Sequence, residues 1–251
     1  MQYDFTTAPD RSAAGSFKWE QMKAWNPEVA RGVIPFSVAD MELYNPPEIA
    51  EGLKKYLDGL VMGYTGPTQA YYDAVIGWMK RRHGWDIRRE WLVQTGGVVS
   101  AFYNAVRAFT EPGDGVMMFT PVYYPFYGAA ALQGRKQVRM PLTLENGRYD
   151  MDFDLLEQHA KEPRNKVLLL CSPHNPIGRI WLKDELQRLA DICAAHEVLI
   201  ISDEIHFDLV MPGHRHTVLA TLGEAAAQNS IILTAPSKTF NLAGLFTSNI
   251  I

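Results

Sequence analysis

Several things are scarce in this sequence, and each scarcity removes a class of protein. Only two cysteines, Cys171 and Cys193, occur in 251 residues. That is too few for the disulfide framework of a secreted scaffold, so both read as reduced, core-filling thiols of a cytoplasmic chain. No apolar run approaches the length needed to span a bilayer; Val167-Leu168-Leu169-Leu170-Cys171 is typical and far too short. The polar, acidic start Met1-Gln2-Tyr3-Asp4-Phe5-Thr6-Thr7 lacks the basic flank and apolar stretch of a secretory signal. Long blocks of Lys or Arg are missing too, and the formal net charge of −4 is mild. Neither nucleic acid nor a membrane is therefore expected as a partner. Internal repeats and low-complexity segments are absent.

What the chain has in quantity is hydrophobic side chain, 47% of residues, enough for a substantial core. Residues 116–119, 167–171, 198–201 and 231–233 are nearly continuous apolar segments, as in parallel strands covered on both faces. Between two of them, residues 183–196 put Leu186, Leu189, Ala190, Ile192 and Cys193 on much of one helical face. The alternation predicts an α/β domain with a mostly parallel sheet. The first 45 residues differ, being aromatic, turn-rich and weakly periodic. They are expected to form an N-terminal arm and part of a small domain, with residues 46–251 as the large domain. The ending Thr247-Ser248-Asn249-Ile250-Ile251 reads as the middle of a strand with no covering helix after it. Either a capping element comes from elsewhere or the sequence is a fragment.

Five segments at predicted strand ends carry possible chemistry, and each alone has a plain structural reading. Thr95-Gly96-Gly97-Val98 opens a helical pattern, where a permissive backbone and free N–H groups suit a phosphate, or merely a turn. Pro121-Val122-Tyr123-Tyr124 offers an aromatic platform for a planar ligand, or core packing. In Ser172-Pro173-His174-Asn175-Pro176-Ile177-Gly178, two prolines fix a loop from which the Asn175 amide projects, unless Asn175 is only a turn former. Ser202-Asp203-Glu204-Ile205-His206 ends a strand with adjacent carboxylates that need a cation, a metal or a helix N-terminus if buried. The metal reading is disfavoured, because strand alternation would separate Asp203 from Glu204. Lys238, in Thr234-Ala235-Pro236-Ser237-Lys238-Thr239-Phe240-Asn241, is either a solvated loop lysine or an amine tuned for Schiff-base chemistry. Ser237 and Thr234 could add hydroxyl donors there.

Together these pieces supply a phosphate cradle, an aromatic platform, an amide, a carboxylate and a lysine. Their order and spacing resemble the fold-type-I pyridoxal 5'-phosphate enzymes of the aminotransferase class I/II superfamily. Val38-Ala39-Asp40-Met41-Glu42, Gly63-Tyr64, residues 202–207 and Pro212-Gly213-His214-Arg215-His216-Thr217 further resemble its cystathionine β-lyase (C–S lyase) branch. The resemblance implies the pyridoxal-phosphate-dependent transferase fold, with the C-terminal small domain and its carboxylate-clamping arginine missing. It implies a cofactor held by Lys238, with Lys238 then acting as base on the substrate. Asp203 would pair with the ring nitrogen, Asn175 with the phenolic oxygen, and Tyr123 would stack on the ring. Gly97, Val98, Ser237 and Thr234 would hold the phosphate, helped by Tyr64 from a second subunit, hence a homodimer. Asp40 would border a small sulfur amino-acid substrate. The implied reaction is β-elimination from cystathionine or a cysteine S-conjugate to a thiol, pyruvate and ammonia. Amino-acid transamination and a catalytically incomplete regulatory fragment are the alternatives.

Overall fold

In the computed structural model, which describes residues 3–251, the chain divides into two compact units, residues 1–66 and 67–251. The predicted boundary fell at 45/46; the observed division leaves one more helix with the N-terminal stretch.

The first unit holds two helices, α1 (Phe17–Trp25) and α2 (Pro47–Asp58). Helix α2 begins with proline at its first position, where the absent N–H has no intrahelical partner to lose. The one buried side chain of α1 is Lys18. Its ammonium lies 2.7 Å from Asp40 and 2.5 Å from Glu42, and Arg11 reaches the same two carboxylates at 2.9 and 3.2 Å. Two cations against two anions allow a lysine to be buried where one alone would be expelled.

The second unit opens with α3 (Gln69–His83), capped by Thr68 and ended by Gly84 in the left-handed conformation. There follow β1 (Val93–Thr95), α4 (Val98–Phe109), β2 (Gly115–Thr120), α5 (Pro125–Ala131) and β3 (Lys136–Pro141). A small antiparallel hairpin, β4 (Thr143–Glu145) and β5 (Arg148–Asp150), leads to α6 (Phe153–Ala160). The remainder is β6 (Asn165–Cys171), α7 (Lys183–Ala195), β7 (Leu199–Asp203), α8 (Glu224–Gln228), β8 (Ser230–Thr234), α9 (Pro236–Thr239) and β9 (Ser248–Ile250).

Seven strands form one sheet in the order β1-β9-β8-β7-β6-β2-β3. Strands β3, β2, β6, β7 and β8 are parallel, while β9 runs antiparallel to both of its neighbours. The apolar runs are continuous because both sheet faces are covered. Met117, Leu168, Ile200 and Ile232 point into one buried cluster with α6 and α7. Met118, Leu169, Ile201 and Leu233 point into another with α4 and α5. The predicted α/β class and mostly parallel sheet are what is observed. Among the described residues, no helix is long and apolar enough to cross a membrane.

Candidate active site

Parallel strands that end together leave their following loops on one edge, and this edge gathers most of the predicted residues. Asp203 is the last residue of β7 and is 4% exposed. Strand alternation puts it on the same face as Ile201, the face of α4 and α5. Burial pushes its carboxyl up to about 7, the Ile205 N–H at 3.1 Å pulls the other way, Glu204 raises it and Lys238 lowers it. Asp203 is thus a buried acid at a strand end on which the Lys238 charge acts.

Lys238 and Ser237 belong to α9, the short turn after β8. Burial, and then the Lys238 charge, push His206 down to about 4 and keep that imidazole neutral at ordinary pH. Tyr123 lies on the Asp203 side of the sheet, half-buried. Its hydroxyl is raised by burial, then by Tyr124 and by Asp203. Its loop is joined directly to that of Asn175: the Tyr123 N–H donates to the Asn175 carbonyl at 3.0 Å. The Asn175 N–H in turn donates to Cys171 Sγ at 3.3 Å.

Gly97 precedes α4 at φ +123°, which side chains other than hydrogen rarely adopt, and Val98 is the first residue of the helix. A Cβ built on Gly97 would meet nothing within 4 Å, so the space above this turn is open. The Gly97 N–H donates to Ser248 Oγ at 3.1 Å, and that hydroxyl lies 2.6 Å from Thr95 Oγ1. Ser248 was not singled out from the sequence; nothing local to it signals a role.

Thr234 does not join this group. It ends β8 on the face of Ile232, opposite Asp203, and its buried hydroxyl has no partner among the described residues. There it lines a cavity of about 340 Å³ with Tyr71, Trp78, Asp208, Phe240 and Asn249. Asp40 sits in the first unit, committed to Lys18 and Arg11, and Tyr64 of that unit is fully exposed. Glu204 parts from Asp203 as alternation requires. It accepts from Ser202 Oγ at 3.0 Å and the Leu219 N–H at 3.0 Å, and lies 2.7 Å from His216 Nε2.

A lysine in the turn after β8, a buried acid that feels its charge, an aromatic loop and an open glycine turn share one edge of a sheet of the fold-type-I α/β class. The chain belongs to the aminotransferase class I and II family, whose pattern matches residues 31–247. Cystathionine beta-lyase PatB of Bacillus subtilis is 43% identical over 99% of this chain and 64% of its own length. Protein MalY of Escherichia coli is 32% identical over 97% and 61%. Cystalysin from Treponema denticola, whose crystal structure contains a pyridoxal 5'-phosphate cofactor, matches with a TM-score of 0.98 and 56% identity. That match covers 100% of this chain and 64% of cystalysin. The chain therefore spans less than two thirds of these relatives.

Proposed function

We propose that the chain binds pyridoxal 5'-phosphate and acts as a carbon–sulfur β-lyase on cystathionine or cysteine S-conjugates. The observation that carries the cofactor assignment is Asp203, buried at the end of β7 with the Lys238 charge acting on it. A protonated ring nitrogen is a partner that suits such a carboxylate, and the open Gly97 turn leaves room for a phosphate. The choice of β-elimination rests on the kinship with PatB and cystalysin.

Bound here, pyridoxal phosphate supplies an electron-withdrawing ring that accepts the electron pair left when a substrate loses its Cα proton. Lys238 would hold the cofactor through Nζ and would take up the substrate's Cα proton on the same nitrogen. Asp203 would hold a proton on the ring nitrogen. The Asn175 amide would donate to the phenolic oxygen, and Tyr123 would cover the ring. The open turn at Gly97, the Val98 N–H and the Ser237 hydroxyl would hold the phosphate. Tyr64 of a second copy would add to that cradle in a homodimer. In the net reaction the Cβ–S bond breaks with its electron pair on sulfur. Water then converts the remaining three-carbon fragment to pyruvate and ammonia. Buried thiols at Cys171 and Cys193 suit a reducing cytoplasm.

The test is incubation of the chain with pyridoxal phosphate and cystathionine, following pyruvate and free thiol. Both are expected, and Lys238→Ala is expected to remove both. Keto acid that forms only when an acceptor keto acid is added would replace the lyase reading with an aminotransferase.

A further inference from the structure

Asp208 belongs to none of the motifs above, yet three side chains converge on it. Its side chain is 3% exposed. Oδ2 accepts from Thr239 Oγ1 at 2.7 Å and from Trp78 Nε1 at 3.0 Å, while Oδ1 lies 2.9 Å from His83 Nε2. Burial works against the charge on Asp208. The bonds from His83 and Thr239, the His83 charge and the Trp78 N–H outweigh it and hold the acid below its ordinary value. His83 is itself fixed, its ring stacked on Phe207 with centroids 4.2 Å apart and planes 6° from parallel.

Thr239 is the residue after Lys238 and the last of α9, a helix of four residues. So short a helix cannot hold its own conformation, and external contacts decide where its side chains point. Two such contacts are seen. Asp208 takes the Thr239 hydroxyl, and Phe240 packs edge-on against Trp78 with ring centroids 5.1 Å apart. Both lead to α3, across the sheet face from Tyr123 and Val98.

We propose that Asp208 is a positioning residue: with Trp78 it clamps the Lys238 turn to α3 and so sets how readily Lys238 captures pyridoxal phosphate. This rests on the cofactor reading above. In capture, the Lys238 nitrogen forms a double bond to the cofactor's aldehyde carbon and the aldehyde oxygen leaves as water. A lysine free to swing misses the near-attack geometry, and losses from such misplacement reach about a hundredfold.

The experiment uses the 251-residue chain and pyridoxal phosphate, with borohydride reduction and mass spectrometry of the Lys238 peptide as the readout. Thr239→Val is expected to slow labelling about tenfold or more, and Thr239→Ser to stay within about threefold of the unaltered chain. In a Lys238→Ala background, Thr239→Val is expected to leave non-covalent cofactor affinity unchanged within about twofold, because it acts through the lysine. Thr239→Ala is the second variant if valine prevents folding, and is held to the same outcomes. The proposal is overturned by normal labelling in Thr239→Val, by failure of serine to restore the rate, or by an equal loss of affinity without Lys238. In those cases a labelled Lys238 leaves the cofactor reading standing. No label on Lys238 in the unaltered chain overturns the cofactor reading and this proposal together.

Discussion

Asp203 holds its proton more tightly in the folded chain than an exposed aspartate would, and this has a measurable consequence. Between its ordinary value of 3.8 and about 7, the folded form keeps a proton that the unfolded form has lost. Stability of the cofactor-free protein should therefore fall as pH rises through that window and level off above it. Thermal midpoints across pH 4 to 8 would show this slope, and Asp203→Asn should flatten it. A second single-residue test concerns Gly97. Its φ of +123° is strained for any side chain, so Gly97→Ala should cost about 1–3 kcal/mol in urea unfolding, although the space above it is open. At this scale the sequence singles out residues that lie in contiguous motifs at strand ends, as Lys238, Asp203, Tyr123 and Asn175 do. Asp208 could not be singled out, because its partners lie at 78, 83 and 239 and only the folded chain makes them neighbours.

Among the elements, the buried pair of Glu204 and His216 ties the end of β7 to the turn at Leu219. Removing one member of such a pair leaves the other buried and unmatched. Glu204→Ala should lower unfolding free energy by about 3–5 kcal/mol, read by denaturant titration. Phe102, wholly buried on α4 against Phe126, should show a similar loss of about 3–5 kcal/mol on truncation to alanine, from a cavity instead of a charge. Strands β2, β6, β7 and β8 were legible as apolar runs because burial on both faces removes the need for polar positions. The edge strand β3 was not, since Lys136, Gln137 and Arg139 give it the polar character of a sheet margin. The pairing of β9 was illegible for a different reason: a three-residue strand encodes no preference for neighbours far away in sequence.

For the molecule as a whole, a ligand that binds only the folded form must raise its unfolding midpoint. At a hundredfold excess over its dissociation constant, pyridoxal phosphate should add about 2.7 kcal/mol, measurable by scanning calorimetry. Lys238→Ala should shrink that gain at equal cofactor concentration. The apolar periodicity made the fold class readable across the chain. The division near residue 66 was not readable, because it depends on which segments pack together and not on any change in composition.

Strand β9 sits between β1 and β8, and its Ser248 hydroxyl receives the Gly97 N–H across 151 residues of chain. During synthesis, therefore, β1 has no place in the sheet until residues 248–250 have left the ribosome. The turn at Gly97 is made early but becomes hydrogen-bonded to its sheet neighbour only when that late strand arrives, a long closure that slows folding. A nascent chain stalled before Ser248 should already protect β2, β6 and β7 from proteolysis yet fail to retain phosphate-bearing ligands. Cofactor acquisition would then wait for residues 248–250 to emerge.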